Sequence, residues 1–174
     1  ILLYGGRGGI VKFSQLIPVL AETRQVIAVQ LQEHGHTADI DRSLSYETMA
    51  DDVAGFIEFL NLESADIMGY SLGGGVALQT GIQHPERVNQ FVVISALFRR
   101  SAIHPEFLAG METMNADSAD SMLETPMYQF SSRVAPRAED WNKLAGSCGD
   151  ALRQDYDWTE DLAAIDSPHT HRAW

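Results

Sequence analysis

Short, continuous apolar runs alternate along the first half of the chain with segments of helical periodicity. The apolar runs lie at residues 1–4, 25–29, 64–69 and 90–95. Unbroken runs of this length are typical of strands buried on both faces of a parallel sheet. Between the second and third runs, apolar residues recur at three- and four-residue steps, which predicts an amphipathic helix that begins at Ser45 and ends at Asn61. This alternation predicts an α/β fold with a parallel sheet.

The pattern changes after residue 96. From residue 97 to 158 the apolar runs disappear, and methionines and aromatic residues are scattered among polar ones. This change predicts a helical cap at residues 97–158, inserted into a partial α/β core made of residues 1–96 and 159–174. Two interpretations of the methionines stay open: an adaptable lining for an apolar ligand, or the packed core of a small helical unit. The residues concerned are Met111, Met114, Met122 and Met127.

A Gly-x-Ser-x-Gly motif at residues 69–73 stands between a predicted strand and a predicted helix. In that context the motif predicts a sharp turn with the hydroxyl of Ser71 at its apex, and Ser71 is the predicted nucleophile. Gly69 and Gly73 supply the missing side chains where the turn would otherwise clash with itself. The N–H of Leu72, at the N-terminal end of the helix, would form half of an oxyanion hole. A plain glycine-rich turn is the alternative, while a phosphate-binding loop lacks its Gly-Lys-Ser/Thr sequence.

Composition narrows the possible partners. The chain has 24 acidic and 12 basic residues and a net charge of −12, which argues against nucleic acid or an anionic membrane as a partner. No run of about 18 apolar residues could span a bilayer. The single cysteine, Cys148, cannot form an internal disulfide and is predicted to be a buried or idle thiol. The expected partner is therefore a small-molecule substrate, with the oligomeric state left open.

The two ends of the chain look incomplete. Ile1 lies inside an apolar run, and residues 167–174 have neither strand nor helix periodicity. We therefore expect an α/β domain that is incomplete at both ends. Without an N-terminus the compartment is unknown, although the cytoplasm is favoured because nothing in the cysteine content points to an oxidising environment.

The histidines offer no obvious partner for Ser71. They are His34 and His36 in a turn, His84 before a proline, His104 in the predicted cap, and His169 and His171 at the end. Asp166 precedes the last two, but three to five residues leave no strand between acid and base. The two His-x-His pairs lack a third clustered ligand, so no metal and no cofactor are predicted.

These features resemble the α/β-hydrolase superfamily, of the single-domain esterase, lactonase and peptidase type with a helical cap. The resemblance extends over residues 1–165 and is densest at residues 51–95, which hold the helix, the Gly-x-Ser-x-Gly turn and the His-Pro-Glu-Arg-Val loop. It implies that Gly6, in the glycine loop after the first strand, offers the second N–H of the oxyanion hole beside Leu72. It also implies that the His-Gly turn at residues 34–35 follows the second strand.

Three departures from the family pattern stand out. Tyr4 occupies the position where the family usually has a histidine. Gln30 replaces the usual aspartate, which predicts a looser turn after the second strand. The chain also stops where the strand that carries the catalytic acid is expected.

The resemblance implies a serine hydrolase that forms an acyl-enzyme on Ser71 with a small, largely apolar ester, lactone or amide. Two alternatives remain. The chain could be a non-catalytic, truncated fragment without the catalytic acid and histidine. It could also be a cofactor-free relative similar to a haloperoxidase, whereas a dehalogenase would need an aspartate in place of Ser71.

Overall fold

A computed structural model of the chain describes residues 1–165. In this part of the chain a four-stranded, fully parallel sheet has the order β2-β1-β3-β4. The strands are β1 (Leu2–Leu3), β2 (Ala28–Val29), β3 (Ala65–Tyr70) and β4 (Val88–Ile94). The α/β fold predicted from the alternating pattern is confirmed.

Six α-helices of the described residues accompany the sheet. They are α1 (Leu16–Ala21), α2 (Tyr46–Phe59), α3 (Leu72–Gln83), α4 (Pro105–Glu112), α5 (Pro126–Val134) and α6 (Trp141–Arg153). Short 3₁₀ turns lie between several of them, among them Asp117–Met122. Within residues 1–165, no helix has both the length and the apolar character needed to cross a bilayer.

Helix α2 begins and ends where the sequence predicts. The Ser45 hydroxyl accepts the Thr48 N–H at 3.1 Å, and the Ser45 N–H donates to the Thr48 hydroxyl at 3.2 Å, which is a complete capping box. Asn61 follows the helix with a φ of 56°, the left-handed conformation that ends many helices. The buried face of α2, which includes Met49, Val53 and Ile57, packs towards α3.

The first two strands are shorter than the apolar runs that predict them. Only two residues of each pair in the sheet, because the chain turns into the glycine loop directly after β1 and into the His-Gly turn soon after β2. β1 is nevertheless held on both sides, with Leu2 opposite Ala28 of β2 and Met68 of β3. This central position makes the backbone of β1 a fixed surface for whatever packs against it.

Residues 97–158, called the helical segment below, leave the α/β core and return to it at the same place. Arg99 and Asp157 form an antiparallel bridge, and the Trp158 N–H donates to the Phe98 carbonyl at 2.8 Å. The segment shares one continuous apolar cluster with the sheet, since Trp141, Leu144 and Cys148 join the strand and helix residues of the core.

The methionines of the helical segment contribute to that core. Met114, Met122 and Met127 are half-buried and pack against the shared apolar cluster. Packing of a small helical unit, rather than a purely ligand-facing lining, therefore accounts for these three residues.

Candidate active site

Ser71 stands at the turn between β3 and α3 in a strained conformation. Its φ of 54° and ψ of −121° lie in a region that residues with a side chain rarely adopt. Its neighbours hold it there, because its N–H donates to the Ile94 carbonyl at 2.9 Å and its carbonyl accepts the Gly74 N–H at 2.8 Å. The turn is thus fixed at once by β4 and by the first turn of α3.

Two glycines permit the turn, but for different reasons. A Cβ atom on Gly69 would lie 2.6 Å from the carbonyl carbon of Gly73, so β3 and α3 would collide. A Cβ atom on Gly73 would lie 2.5 Å from the carbonyl carbon and oxygen of Leu3. The clash of Gly69 within the turn is as the sequence predicts. For Gly73 the prediction was wrong, since the clash would be with β1.

The glycine loop after β1 runs alongside Ser71. A Cβ atom on Gly5 would lie 3.1 Å from Cβ and 3.5 Å from Oγ of Ser71, and one on Gly6 would lie 3.4 Å from the Leu72 side chain. The loop can approach this closely only because it lacks side chains. The N–H of Leu72, as the first residue of α3, has no acceptor within its own helix. Amide groups and the Ser71 hydroxyl therefore share one small region.

His34 is a structural part of this region. It is 1% exposed, its Nδ1 lies 2.7 Å from the Gln32 carbonyl, and its Nε2 accepts the Arg7 N–H at 3.0 Å. Since a carbonyl only accepts, Nδ1 carries the proton and Nε2 is the acceptor. Burial lowers the pKa of His34 and keeps the ring neutral. His34 thus anchors the glycine loop.

Tyr4 and Cys148 complete the buried wall behind the loop. The Tyr4 ring is 1% exposed and meets the His34 ring edge-on, with centroids 5.9 Å apart. The Cys148 sulfur lies 3.6 Å from His34 Nε2. Burial raises the pKa of Cys148 to about 12, so the thiol stays protonated and unreactive, as predicted.

The other described histidines lie in different surroundings. His36 is exposed and contacts the Gln30 side chain, whose Oε1 accepts its N–H at 2.8 Å. Gln30 therefore contacts the turn directly, and its looseness relative to a turn with aspartate stays a prediction. His84 Nε2 lies 2.8 Å from a carboxylate oxygen of Asp51, and His104 is exposed before α4. No hydrogen bond within residues 1–165 joins Ser71 Oγ to an imidazole, and His169, His171 and Asp166 lie outside the described residues.

Arg7 is a feature of the site that sequence reasoning missed. It follows Gly6 with a φ of 56°, is 9% exposed, and points Nη1 at the Met122 sulfur at 2.9 Å. Desolvation lowers the pKa of Arg7, although the guanidinium remains charged. A signal was present in the sequence, because an arginine among four glycines places a long cation in a loop with no other side chains.

A second missed feature joins the turn after β2 to α6. The Lys143 ammonium forms an ion pair with Asp39, and the Ser147 hydroxyl donates to Glu33 at 3.1 Å. Burial and a hydrogen bond with Asp39 raise the pKa of Glu33 to about 7. Burial alone would raise the pKa of Asp39, but hydrogen bonds from Lys143 and Glu33 outweigh it and lower that pKa to about 2. No local sequence pattern could show this contact, since Asp39 and Lys143 are 104 residues apart.

Glu33 is expected to make stability depend on pH. The folded protein binds the Glu33 proton more tightly than the unfolded chain does. The contribution of this proton to the free energy of unfolding is therefore complete below pH 4.5 and is lost as pH rises to about 7. Glu33→Gln keeps the side chain neutral, so relative to the wild type it should gain about 1 kcal/mol of stability between pH 4.5 and 8. Melting temperatures at both pH values check this, with Glu139→Gln, at an exposed glutamate, as the control. If the melting temperatures of the wild type and Glu33→Gln change in parallel with pH, the raised pKa of Glu33 would be contradicted.

Comparison with known proteins identifies the family. The family model described as alpha/beta hydrolase fold matches residues 1–159. This chain belongs to the α/β-hydrolase family. The resemblance seen in its motifs is therefore confirmed. Within residues 1–165 of this α/β hydrolase, no group of three or more His, Cys, Asp or Glu side chains is placed to hold a metal ion.

Two relatives of this α/β hydrolase are themselves named as hydrolases. It is 31% identical over 99 residues to 2-hydroxymuconate semialdehyde hydrolase of Pseudomonas sp. strain CF600, covering 55% of this chain and 35% of that protein. It is 30% identical over 161 residues to the AB hydrolase superfamily protein YisY of Bacillus subtilis strain 168, covering 82% of this chain and 60% of the relative. The chain thus spans less than two thirds of either relative.

A solved structure shares the fold. The thermophilic esterase of Thermogutta terrifontis superposes with a TM-score of 0.72 at 20% identity, over 98% of this chain and 68% of the esterase. At this identity the likeness shows the fold alone. The family assignment itself depends on the family model that matches residues 1–159.

Proposed function

We propose that this α/β hydrolase is a serine hydrolase that cleaves a small, largely apolar ester, lactone or amide through an acyl-enzyme on Ser71. One observation carries the proposal: Ser71 is held in a strained turn with its hydroxyl beside an almost side-chain-free glycine loop. Strain of this kind persists only where surrounding structure enforces it, and it clusters at functional sites.

The geometry suits nucleophilic catalysis. Ser71 Oγ would attack the substrate carbonyl carbon while its proton passes to a base, and the oxyanion would accept the N–H groups of Leu72 and Gly6. The bond to the leaving group then breaks, and that group takes the proton. Water attacks the acyl-enzyme in the second half-reaction, which releases the acid and restores the Ser71 hydroxyl.

The base must come from outside residues 1–165. Both ring nitrogens of His34 are engaged, Nε2 by the Arg7 N–H and Nδ1 by the Gln32 carbonyl, and the remaining described histidines contact Gln30, Asp51 or solvent. Such an imidazole also needs a carboxylate to hold its tautomer. Residues of a longer polypeptide, or those at the end of this chain, would have to provide both groups.

The helical segment would act as a cap over the substrate. Phe130 of α5 occupies the space that a Cβ atom on Gly9 would need, and Met122 meets the Arg7 side chain. Because apolar side chains of this segment lie directly on the glycine loop, a bound acyl group would meet a mainly apolar roof.

A second candidate concerns the 174-residue polypeptide by itself. Because no described histidine is hydrogen-bonded to Ser71, this polypeptide would be a non-catalytic fragment in which Ser71 keeps the weak nucleophilicity of an ordinary hydroxyl. The two candidates are compatible, since one concerns the intact protein and the other this polypeptide.

One experiment separates the two candidates. A fluorophosphonate probe is expected to label Ser71 in the intact protein, expressed from its complete coding region, and to leave the polypeptide 1–174 unlabelled. Peptide mass spectrometry locates the adduct, and Ser71→Ala is the control. If the fluorophosphonate leaves Ser71 of the intact protein unlabelled, the proposal of a serine hydrolase is refuted. Enzyme-like hydrolysis of a 4-nitrophenyl ester by the polypeptide 1–174, lost on His169→Ala or His171→Ala, would refute the fragment.

A further inference from the structure

Arg7 carries a positive charge inside the molecule that no described acidic side chain balances. It is 9% exposed, and within residues 1–165 it forms no ion pair. Other arginines do pair with carboxylates; Arg100, for example, lies 3.0 Å from Glu112. Burying a guanidinium without a counter-charge is strongly unfavourable. The folded protein therefore holds a cation whose natural partner is missing from its own described side chains.

The surroundings of Arg7 leave its hydrogen-bonding capacity largely unused. Its nearest side-chain acceptor is the thioether of Met122, 2.9 Å from Nη1, and a thioether sulfur is a weak, uncharged acceptor. A guanidinium has five N–H donors in a planar fork that matches the two oxygens of a carboxylate. The unfilled donors thus define the chemistry of the missing partner.

Arg7 is also placed close to the predicted nucleophile. A Cβ atom on Gly5 would lie 3.1 Å from Ser71 Cβ and one on Gly6 3.4 Å from the Leu72 side chain, and Arg7 is the next residue, with successive Cα atoms about 3.8 Å apart. Its backbone is fixed, because its N–H donates to the buried ring of His34 at 3.0 Å. The side chain then runs beneath the helical segment to Met122. A ligand bound at Ser71 with an anionic end a few bonds away would come within reach of the guanidinium.

We propose that Arg7 binds a carboxylate on the acyl part of the substrate, so that the hydrolase prefers esters of dicarboxylic acids with one free carboxylate. Because such recognition needs a substrate on Ser71, it rests on the proposed function. The net charge of −12 repels anions from the surface, so selection of an anionic substrate requires a local cation of this kind. The apolar roof would contact the methylene chain between the two carboxyl groups.

Two substrates of nearly equal shape test the proposal in the intact protein. Mono-4-nitrophenyl adipate carries the carboxylate, and 4-nitrophenyl 6-methylheptanoate replaces it with an isopropyl group. We expect kcat/KM to favour the adipate in the wild type, and the ratio of the two values to fall about 10- to 100-fold in Arg7→Met. Arg133→Met, at an exposed arginine of α5, is the matched control and should keep the wild-type ratio. Arg7→Lys should restore part of the preference.

Thermal stability distinguishes substrate binding from a structural role. If Arg7 serves a ligand, Arg7→Met removes an unpaired buried charge and should raise Tm by a few degrees, whereas a structural arginine would lower it. Adipate should in turn raise the Tm of the wild type and not that of Arg7→Met.

The outcomes separate this proposal from the proposed function. Both esters could be hydrolysed with the same ratio of kcat/KM values in the wild type and in Arg7→Met. This result would overturn carboxylate binding by Arg7 and would leave the proposed serine hydrolase function standing. If neither ester is hydrolysed and Ser71 resists the fluorophosphonate, calorimetric titration with adipate decides. Binding that disappears in Arg7→Met supports the anion site, and absence of binding by the wild type refutes it.

Discussion

Replacing Ser71 with alanine in the intact protein is expected to lower kcat for 4-nitrophenyl butyrate by about 10⁴- to 10⁶-fold. The reason is that the acyl-enzyme cannot form without Oγ, while the amides of Leu72 and Gly6 can still bind the carbonyl. Alanine keeps the Cβ atom that the strained turn already accommodates, so the fold should survive. Initial rates after subtraction of spontaneous hydrolysis measure the loss.

The matched control is Ser101→Ala, at an exposed serine of the helical segment, which should retain wild-type kcat. Circular dichroism of both variants confirms folding. Turnover that persists in Ser71→Ala would remove the acyl-enzyme mechanism. It would also leave the strain at residue 71 as a purely structural feature.

Gly73→Ala is expected to have the second large effect, this time on folding. Its Cβ atom would lie 2.5 Å from the backbone of Leu3, and β1 cannot move away because β2 and β3 hold it on both sides. A collision with fixed backbone should lower the free energy of unfolding by about 3 kcal/mol or more, or prevent folding altogether. Urea denaturation followed by circular dichroism measures the change.

Gly55→Ala is the control for the same substitution in a helix. Gly55 is exposed in α2, and a Cβ atom there would meet nothing within 4 Å. Alanine should therefore raise the free energy of unfolding by about 0.5–1 kcal/mol through helix propensity alone. Equal stability of Gly73→Ala and the wild type would show that β1 and α3 can separate at little energetic cost.

The candidate site is assembled by elements that hold one another in place. β4 holds the N–H of Ser71, α3 holds its carbonyl, and the buried ring of His34 holds the glycine loop beside it. These groups belong to a strand, a helix and a turn that are separate elements of the fold. This explains how a strained conformation at residue 71 can be tolerated, since several contacts would have to break together before it could relax.

Much of the fold could be predicted because short-range rules decide it. The capping box of Ser45 and the left-handed Asn61 set the ends of α2 through contacts of three or four residues. The Gly-x-Ser-x-Gly turn likewise depends on its own glycines and on the strand and helix beside it. The lengths of β1 and β2 were less predictable, because the loops that end these strands depend on distant contacts such as the one between Arg7 and His34, 27 residues apart.

The roles of individual polar residues could not be predicted in the same way. The sequence places His34 in a turn but cannot show that its ring is occupied by Arg7 and Gln32. The sequence likewise cannot show that the side-chain oxygen of Gln30 accepts the backbone N–H of His36. Arg7 lies 27 residues from His34, so only the packing of two separate loops brings these partners together.

By itself, the sequence determined the α/β class, the parallel sheet, the bounds of α2 and the strand–turn–helix around Ser71, because each follows from the spacing of apolar residues and glycines along a local stretch of chain. Only the tertiary structure decided that Gly73 makes room for β1, that His34 anchors the glycine loop, and that Arg7 is buried without a carboxylate partner among residues 1–165. Those properties depend on which distant groups share a desolvated space. Burial, rather than local pattern, sets their charge states and their partners.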